Sequence, residues 1–140
     1  MGANLALYIS SEEHSFIKKC ILISPDIEVR AEINYLFNES QIQELEEKGY
    51  TYRKGLYINK SFIDHIRNKA GLSVANRIIV PTIIYQGDSD EIYTIEGARQ
   101  LSGKIKNSRL VVINGGDHNY LNQNARKRLM QNIINDLNRR

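Results

Sequence analysis

Two segments near the end of the chain constrain its fold most. Residues 80–94 read VPTIIYQGDSDEIYT and residues 109–120 read RLVVINGGDHNY, with a helix-length stretch between them. Each is an apolar, β-branched run that stops at glycine, as a buried strand does. Each also sets ionisable groups just past the stop: Asp88, Asp90 and Glu91 after the first, His118 after the second. In a parallel α/β sheet, the loops beyond the carboxyl ends of the strands are where chemistry sits. An acid from one such loop and a histidine from the next are two of the three members of a nucleophilic triad.

The rest of the chain fits that frame. Gly2 to about Ser10 is rich in small and apolar residues and reads as a helix buried on most sides. Ile21 to Ser24 follow as a short buried strand ended by Pro25-Asp26. From there to about Asn76 the composition turns polar and the elements shorten. Ser40 with Gln43 suggests a capping box for a helix running through Glu46 and ended by Gly49. Tyr50–Arg53 and Leu56–Asn59 alternate around Lys54-Gly55, a hairpin pattern. Ser61 with Asp64 opens another short helix, closed near Gly71. After the strand over Val80–Gln86, Thr94 caps a helix with Ile95, Ala98 and Leu101 on one face, ended by Gly103. Leu110–Ile113 are the last strand. Leu129, Met130, Ile133, Ile134 and Leu137 then repeat at amphipathic helical spacing. Helix, strand, irregular excursion, then strand–helix–strand–helix is a parallel α/β pattern with an insertion at about residues 26–76.

Composition narrows the function classes. At 140 residues with 41% hydrophobic, the chain is at most one domain, 1–140, long enough for a genuine core. No stretch approaches the roughly 20 apolar residues of a membrane span. MGANLALYIS has no basic leader and is too short for a secretory signal. Met1-Gly2 invites a lipidation reading, but Leu5, Ala6 and Leu7 fit a core helix better. One cysteine, Cys20, excludes an internal disulfide framework and fits a cytoplasmic location, as an inert buried thiol. The net charge of +3 is weak, and much of it lies in Arg126, Lys127, Arg128, Arg139 and Arg140. No aromatic residues interleave those charges, so a solvated helix face accounts for them better than nucleic-acid binding does.

Asp88, Asp90 and Glu91 admit three readings. They are solvated turn residues, part of a metal site that needs further oxygen ligands, or the source of a carboxylate that orients a histidine. His118 follows Gly115-Gly116-Asp117 directly after a strand. The adjacent Asp117 is a poor partner for it, because neighbours in an extended loop point apart. His14 and His65 read as surface or packing residues.

These motifs closely resemble the C-terminal half of the α/β-hydrolase fold, specifically its lysophospholipase-like and serine-aminopeptidase-like esterase group. That group's penultimate strand is a proline, an apolar run and Gly-Asp-x-Asp-Glu; here it is Pro81 to Tyr85, Gln86, then Gly87-Asp88-Ser89-Asp90-Glu91. The resemblance puts Asp90 on the triad acid. The last strand of the group leads into Gly-x-x-His, a small polar residue and an aromatic; here this is Gly115-Gly116-Asp117-His118-Asn119-Tyr120. The resemblance puts His118 on the triad base. The hairpin and short helices before Pro81 resemble the insertion that caps the substrate pocket. Tyr93-Thr94 departs from the group's usual Val-Pro at the pocket rim.

The larger departure is at the start. The group's nucleophile stands on a Gly-x-Ser-x-Gly elbow that leads into a helix of small residues. Met1-Gly2-Ala3-Asn4 resembles that elbow from the residue after the serine, which implies Met1 as an oxyanion donor through its amide and a nucleophile just before it. Ser10 and Ser11 end a helix, and Ser24 precedes Pro25 without elbow glycines. The expected fold is thus a partial α/β-hydrolase of about three parallel strands. The expected function is the C-terminal half of a serine hydrolase of acyl esters or amides, with no cofactor and no metal. It is expected as a homo-oligomer or in complex with a missing N-terminal half. The alternative is an inactive remnant that serves as a binding or oligomerisation domain. A flavodoxin-like domain fails on order, since its acidic cluster comes near the N-terminus.

Overall fold

A computed structural model describes residues 2–12, 16–26, 36–68 and 71–139, the side chains of 65–68 excepted. Helix α1 (Gly2–Glu12) leads to strand β1 (Cys20–Ile23). Then come α2 (Glu39–Lys48), the hairpin of β2 (Tyr50–Arg53) and β3 (Leu56–Asn59), α3 (Lys60–Asn68) and the short α4 (Gly71–Val74). The chain ends with β4 (Thr82–Gly87), α5 (Ile95–Lys104), β5 (Ser108–Ile113) and α6 (Gln123–Asn138). Strands β1, β4 and β5 form a parallel sheet in the order β1-β4-β5, with Cys20 opposite Thr82 and Thr82 opposite Ser108. This is the α/β architecture expected of the sequence. The hairpin forms over the residues read for it, with Tyr52 opposite Tyr57.

The central strand explains itself. All six residues of β4 are buried, so an uninterrupted apolar run suits it on both faces. Ile84 points into a core with Leu7, Leu22, Val74, Ile78, Ala98 and Leu101. Ile83 and Tyr85 point the other way, toward Ile113, Tyr120, Ala125 and Leu129. Helices α1, α4 and α5 therefore cover one face and α6 the other. Each fully buried aliphatic side chain contributes about 1.5–3 kcal/mol, so β4 anchors the loop that follows it. Cys20 is buried in the first of these cores, and burial pushes its thiol up while a bond with Ser10 opposes this. No described helix is long and apolar enough to cross a membrane.

Several boundaries and faces differ from the sequence reading. Helix α1 is buried on one face only: Leu7, Ser10 and Ser11 are buried, whereas Leu5 and Ile9 are exposed. It packs on one side against β1 and α4, and no described element covers its other side. In α6, Leu129 packs inward, but Met130, Ile134 and Leu137 are exposed, and Asp136 takes the buried position. Its carboxylate accepts a hydrogen bond from the Tyr85 hydroxyl and pairs with Arg109 at 2.7 Å. The Tyr85 bond, against the opposing effect of burial and with Arg109 assisting, holds the Asp136 carboxyl below the usual range. Burial and that same carboxylate push the Tyr85 phenol up.

The capping box of α2 is built by Asn38 with Gln41, not by Ser40 with Gln43. Asn38 Oδ1 accepts from the Gln41 amide at 2.9 Å, and Gln41 Oε1 accepts from the Asn38 amide at 3.2 Å. Phe37, just before the cap, packs in one cluster with Ile42, so a hydrophobic staple selects the earlier box. Gly49 ends the helix in the left-handed region at φ 77, as read. Helix α3 begins at Lys60, which leaves Ser61 inside its first turn, and Gly71 opens α4 instead of closing α3. Gly103 lies within α5, which runs on to Lys104. Between residues 26 and 76, where the sequence suggested an insertion, residues 27–35 lie outside the described residues. The rest has a small core of its own, Phe37, Leu45 and Ile63.

Candidate active site

The loops after β4 and β5 are tied together by backbone. The Ser89 amide donates to the Gly116 carbonyl at 3.0 Å, and the Asp88 amide to the Ile113 carbonyl at 3.2 Å. Asp88 Oδ1 accepts from the Gly115 amide at 2.6 Å. Asp88 therefore joins the two loops through Gly115, which takes φ +69. Glu91 is exposed.

Asp90 is the carboxylate that meets the histidine. Its side chain is fully buried, and Oδ2 lies 3.1 Å from Nδ1 of His118, whose side chain is 28% exposed. Oδ1 accepts from the amides of Ile92 and Tyr93, each at 2.9 Å. Burial alone would push the Asp90 carboxyl up. The Tyr93 and Ile92 amides, with His118 and Gln86, favour the charged form and hold it below the usual carboxylate range. The Tyr93 ring meets the imidazole edge-on at 4.9 Å between centroids. Asp117 turns away, as its carboxylate accepts from the amides of Asn119, Leu121 and Asn122.

Two participants escaped the sequence reading. Gln86 Nε2 donates to Asp90 Oδ2 at 3.0 Å and to the Tyr93 carbonyl at 2.9 Å. A lone amide inside the run PTIIYQG was the available signal. Tyr93 was noticed only as a departure at the pocket rim. Of the other residues considered, Met1 and His14 lie outside the described residues, as does the side chain of His65. Ser24 stands at the end of β1 with φ 42, and its Oγ and the Tyr120 hydroxyl are both buried neighbours without a well-formed hydrogen bond. Ser11 is committed to the Tyr8 carbonyl at 2.7 Å. Among the described residues, no three His, Cys, Asp or Glu side chains converge as a metal site.

A carboxylate bonded to Nδ1 fixes one imidazole tautomer and leaves Nε2 as the nitrogen that can take a proton. The chain superposes on alpha/beta hydrolase domain-containing protein 10 from mouse over 96% of its length, with a TM-score of 0.68 and 17% identity. A Paleococcus ferrophilus monoacylglycerol lipase matches 96% of it at TM-score 0.67 and 15% identity. The esterase domain of a Rhodothermus marinus protein matches 89% at TM-score 0.63 and 16% identity.

The chain carries the α/β-hydrolase fold. It spans 59%, 64% and 52% of those three structures respectively, consistent with the C-terminal half of an α/β-hydrolase. One curated relative, a provisionally named non-heme chloroperoxidase of Synechocystis sp., is 51% identical over 43 residues, which are 30% of this chain and 16% of that protein. No family model matches.

Proposed function

We propose that this α/β-hydrolase chain supplies the acid and base of a serine hydrolase site that cleaves acyl esters or amides. Asp90 orients His118, and His118 Nε2 takes the proton of a serine nucleophile and returns it to the leaving group. The nucleophile, on a Gly-x-Ser-x-Gly elbow, and the oxyanion amides come from polypeptide outside the described residues. The insertion around α2, the hairpin and α3 serves as the cap over the acyl pocket. The reaction needs no cofactor, and the buried lone thiol of Cys20 fits a cytoplasmic site of action.

The observation that carries this reading is the contact between a fully buried carboxylate and a partly exposed histidine across two strand ends. The test is turnover of p-nitrophenyl butyrate by the 140-residue chain alone, and again with a companion polypeptide that bears the elbow strand. The reading expects none alone and turnover with the companion that is lost in His118→Ala. Reconstituted turnover that survives His118→Ala would overturn it.

A second reading, a chain that binds and does not catalyse, is favoured by its exposed apolar side chains. Leu5, Ile9 and Ile23, on α1 and β1, are 60%, 41% and 41% exposed. Under that reading the companion restores solubility and stability but no turnover.

A further inference from the structure

Gln86 is fully buried in the central strand, on the face from which Ile84 enters an apolar core. A buried amide in such a place costs stability unless its polar ends are bonded. Only one end is. Nε2 faces three acceptors: Asp90 Oδ2 at 3.0 Å, the Tyr93 carbonyl at 2.9 Å and, more distantly, the Gly87 carbonyl at 3.4 Å. Oε1 is buried with no hydrogen-bond partner among the described residues. The orientation is settled by chemistry, because the reversed amide would set an oxygen against a carboxylate and two carbonyls.

The Asp90 carboxylate explains what the donor end does there. Both backbone amides, those of Ile92 and Tyr93, bond Oδ1. That pins one oxygen but leaves the group able to swing about it. Among the described residues Oδ2 is held by two side chains, Gln86 and His118. We infer that Gln86 is a positioning residue that locks Asp90 Oδ2 against Nδ1 of His118, and so fixes the imidazole through the carboxylate. The Tyr93 carbonyl holds the other hydrogen of the same amide, which ties the strand end to the rim residue whose ring packs on His118. This inference rests on the reading of Asp90 and His118 as acid and base.

Nitrogen-15 spectra of the imidazoles in the intact chain test it, with His118→Asn to assign the signal. The wild type shows His118 with Nδ1 protonated and Nε2 bare. Gln86→Met keeps the volume and removes the donor; it shifts His118 from one dominant tautomer to a mixture while the chain still unfolds cooperatively. An unchanged tautomer in Gln86→Met overturns the inference. Asp90→Asn separates the two claims. If it too leaves the tautomer unchanged, the acid–base reading itself fails, whereas if it abolishes the bias and Gln86→Met does not, only the role of Gln86 fails. A wild-type measurement needs no variant to fold: the two Gln86 side-chain amide protons give separate signals protected from exchange with solvent. Rapidly exchanging protons would contradict the lock.

Discussion

Gly87 ends β4 in direct contact with Gly116, so closely that a Cβ on Gly87 would lie 2.0 Å from the Gly116 carbonyl oxygen. Space, and not an unusual φ, demands glycine there. A Cβ on Gly116 would likewise fall 2.8 Å from the Tyr120 ring. The approach brings the Asp90 loop against the His118 loop. Gly87→Ala forces the strand ends apart, with a loss of about 1–3 kcal/mol or more as for overpacked cores, and parts Asp90 from His118. Urea unfolding checks the first effect and the His118 tautomer the second. A variant with wild-type stability and tautomer would show that the contact positions nothing.

The buried Asp136 carboxylate clamps α6 to the sheet through Tyr85 and Arg109. Asp136→Ala leaves the Tyr85 hydroxyl buried without its acceptor, at a cost of about 1–3 kcal/mol near neutral pH. The pH dependence follows from the sign of the shift. The folded carboxyl is held below its ordinary value of about 3.9, so its stabilisation is present above that value and is lost as pH falls through the folded one. The gap between wild type and variant therefore narrows at about pH 2.5. Thermal melts at both pH values measure it, and a gap that widens in acid would contradict the assignment.

The chain alone is expected not to label with a fluorophosphonate. An oriented imidazole without its serine keeps little of a triad's rate. Ser24 is the residue to watch, because it ends β1 at φ 42 and lies beside Tyr120. A covalent adduct at Ser24, abolished by Ser24→Ala and by His118→Ala, would mean that this chain houses its own nucleophile.

Association tests the open flank. Among the described residues β1 pairs only with β4, and Ile23, Leu5, Ile9 and Phe16 are exposed on or near that side. A strand edge of this kind is a template for another chain. Light scattering across a concentration series is expected to show a homodimer or higher oligomer, or a complex with the companion polypeptide, with the contact near residues 1–25. A monodisperse monomer at about 100 µM would contradict this, since an extensive apolar patch is unusual on a monomer.

The strand ends were legible in the sequence because glycine stops and β-branched runs report burial on both faces. An acidic loop and His118 were legible by position past those stops, but the residues alone left Asp88, Asp90 and Glu91 unresolved, and only the family resemblance singled out Asp90. What separates them is tertiary. Asp88 is drawn to the Gly115 amide in the neighbouring loop, and Asp90 to the Ile92 and Tyr93 amides in its own. The faces of α1 and α6 were not legible. Periodicity counts Met130, Ile134 and Leu137 as core, but they meet solvent, while Ala125, Leu129 and Asp136, bonded to Tyr85, take the buried face. The α2 cap depended on Phe37 and Ile42 choosing between two overlapping boxes.

The central claim is that Asp90 holds His118 ready to act through Nε2. The most direct measurement is the nitrogen-15 spectrum of the His118 imidazole in the wild-type chain near neutral pH, compared with Asp90→Asn. The account predicts a protonated Nδ1 and an unprotonated Nε2 in the wild type, and a mixture of tautomers in the variant. A wild-type imidazole protonated on Nε2, or averaged between tautomers and indifferent to Asp90→Asn, would contradict it.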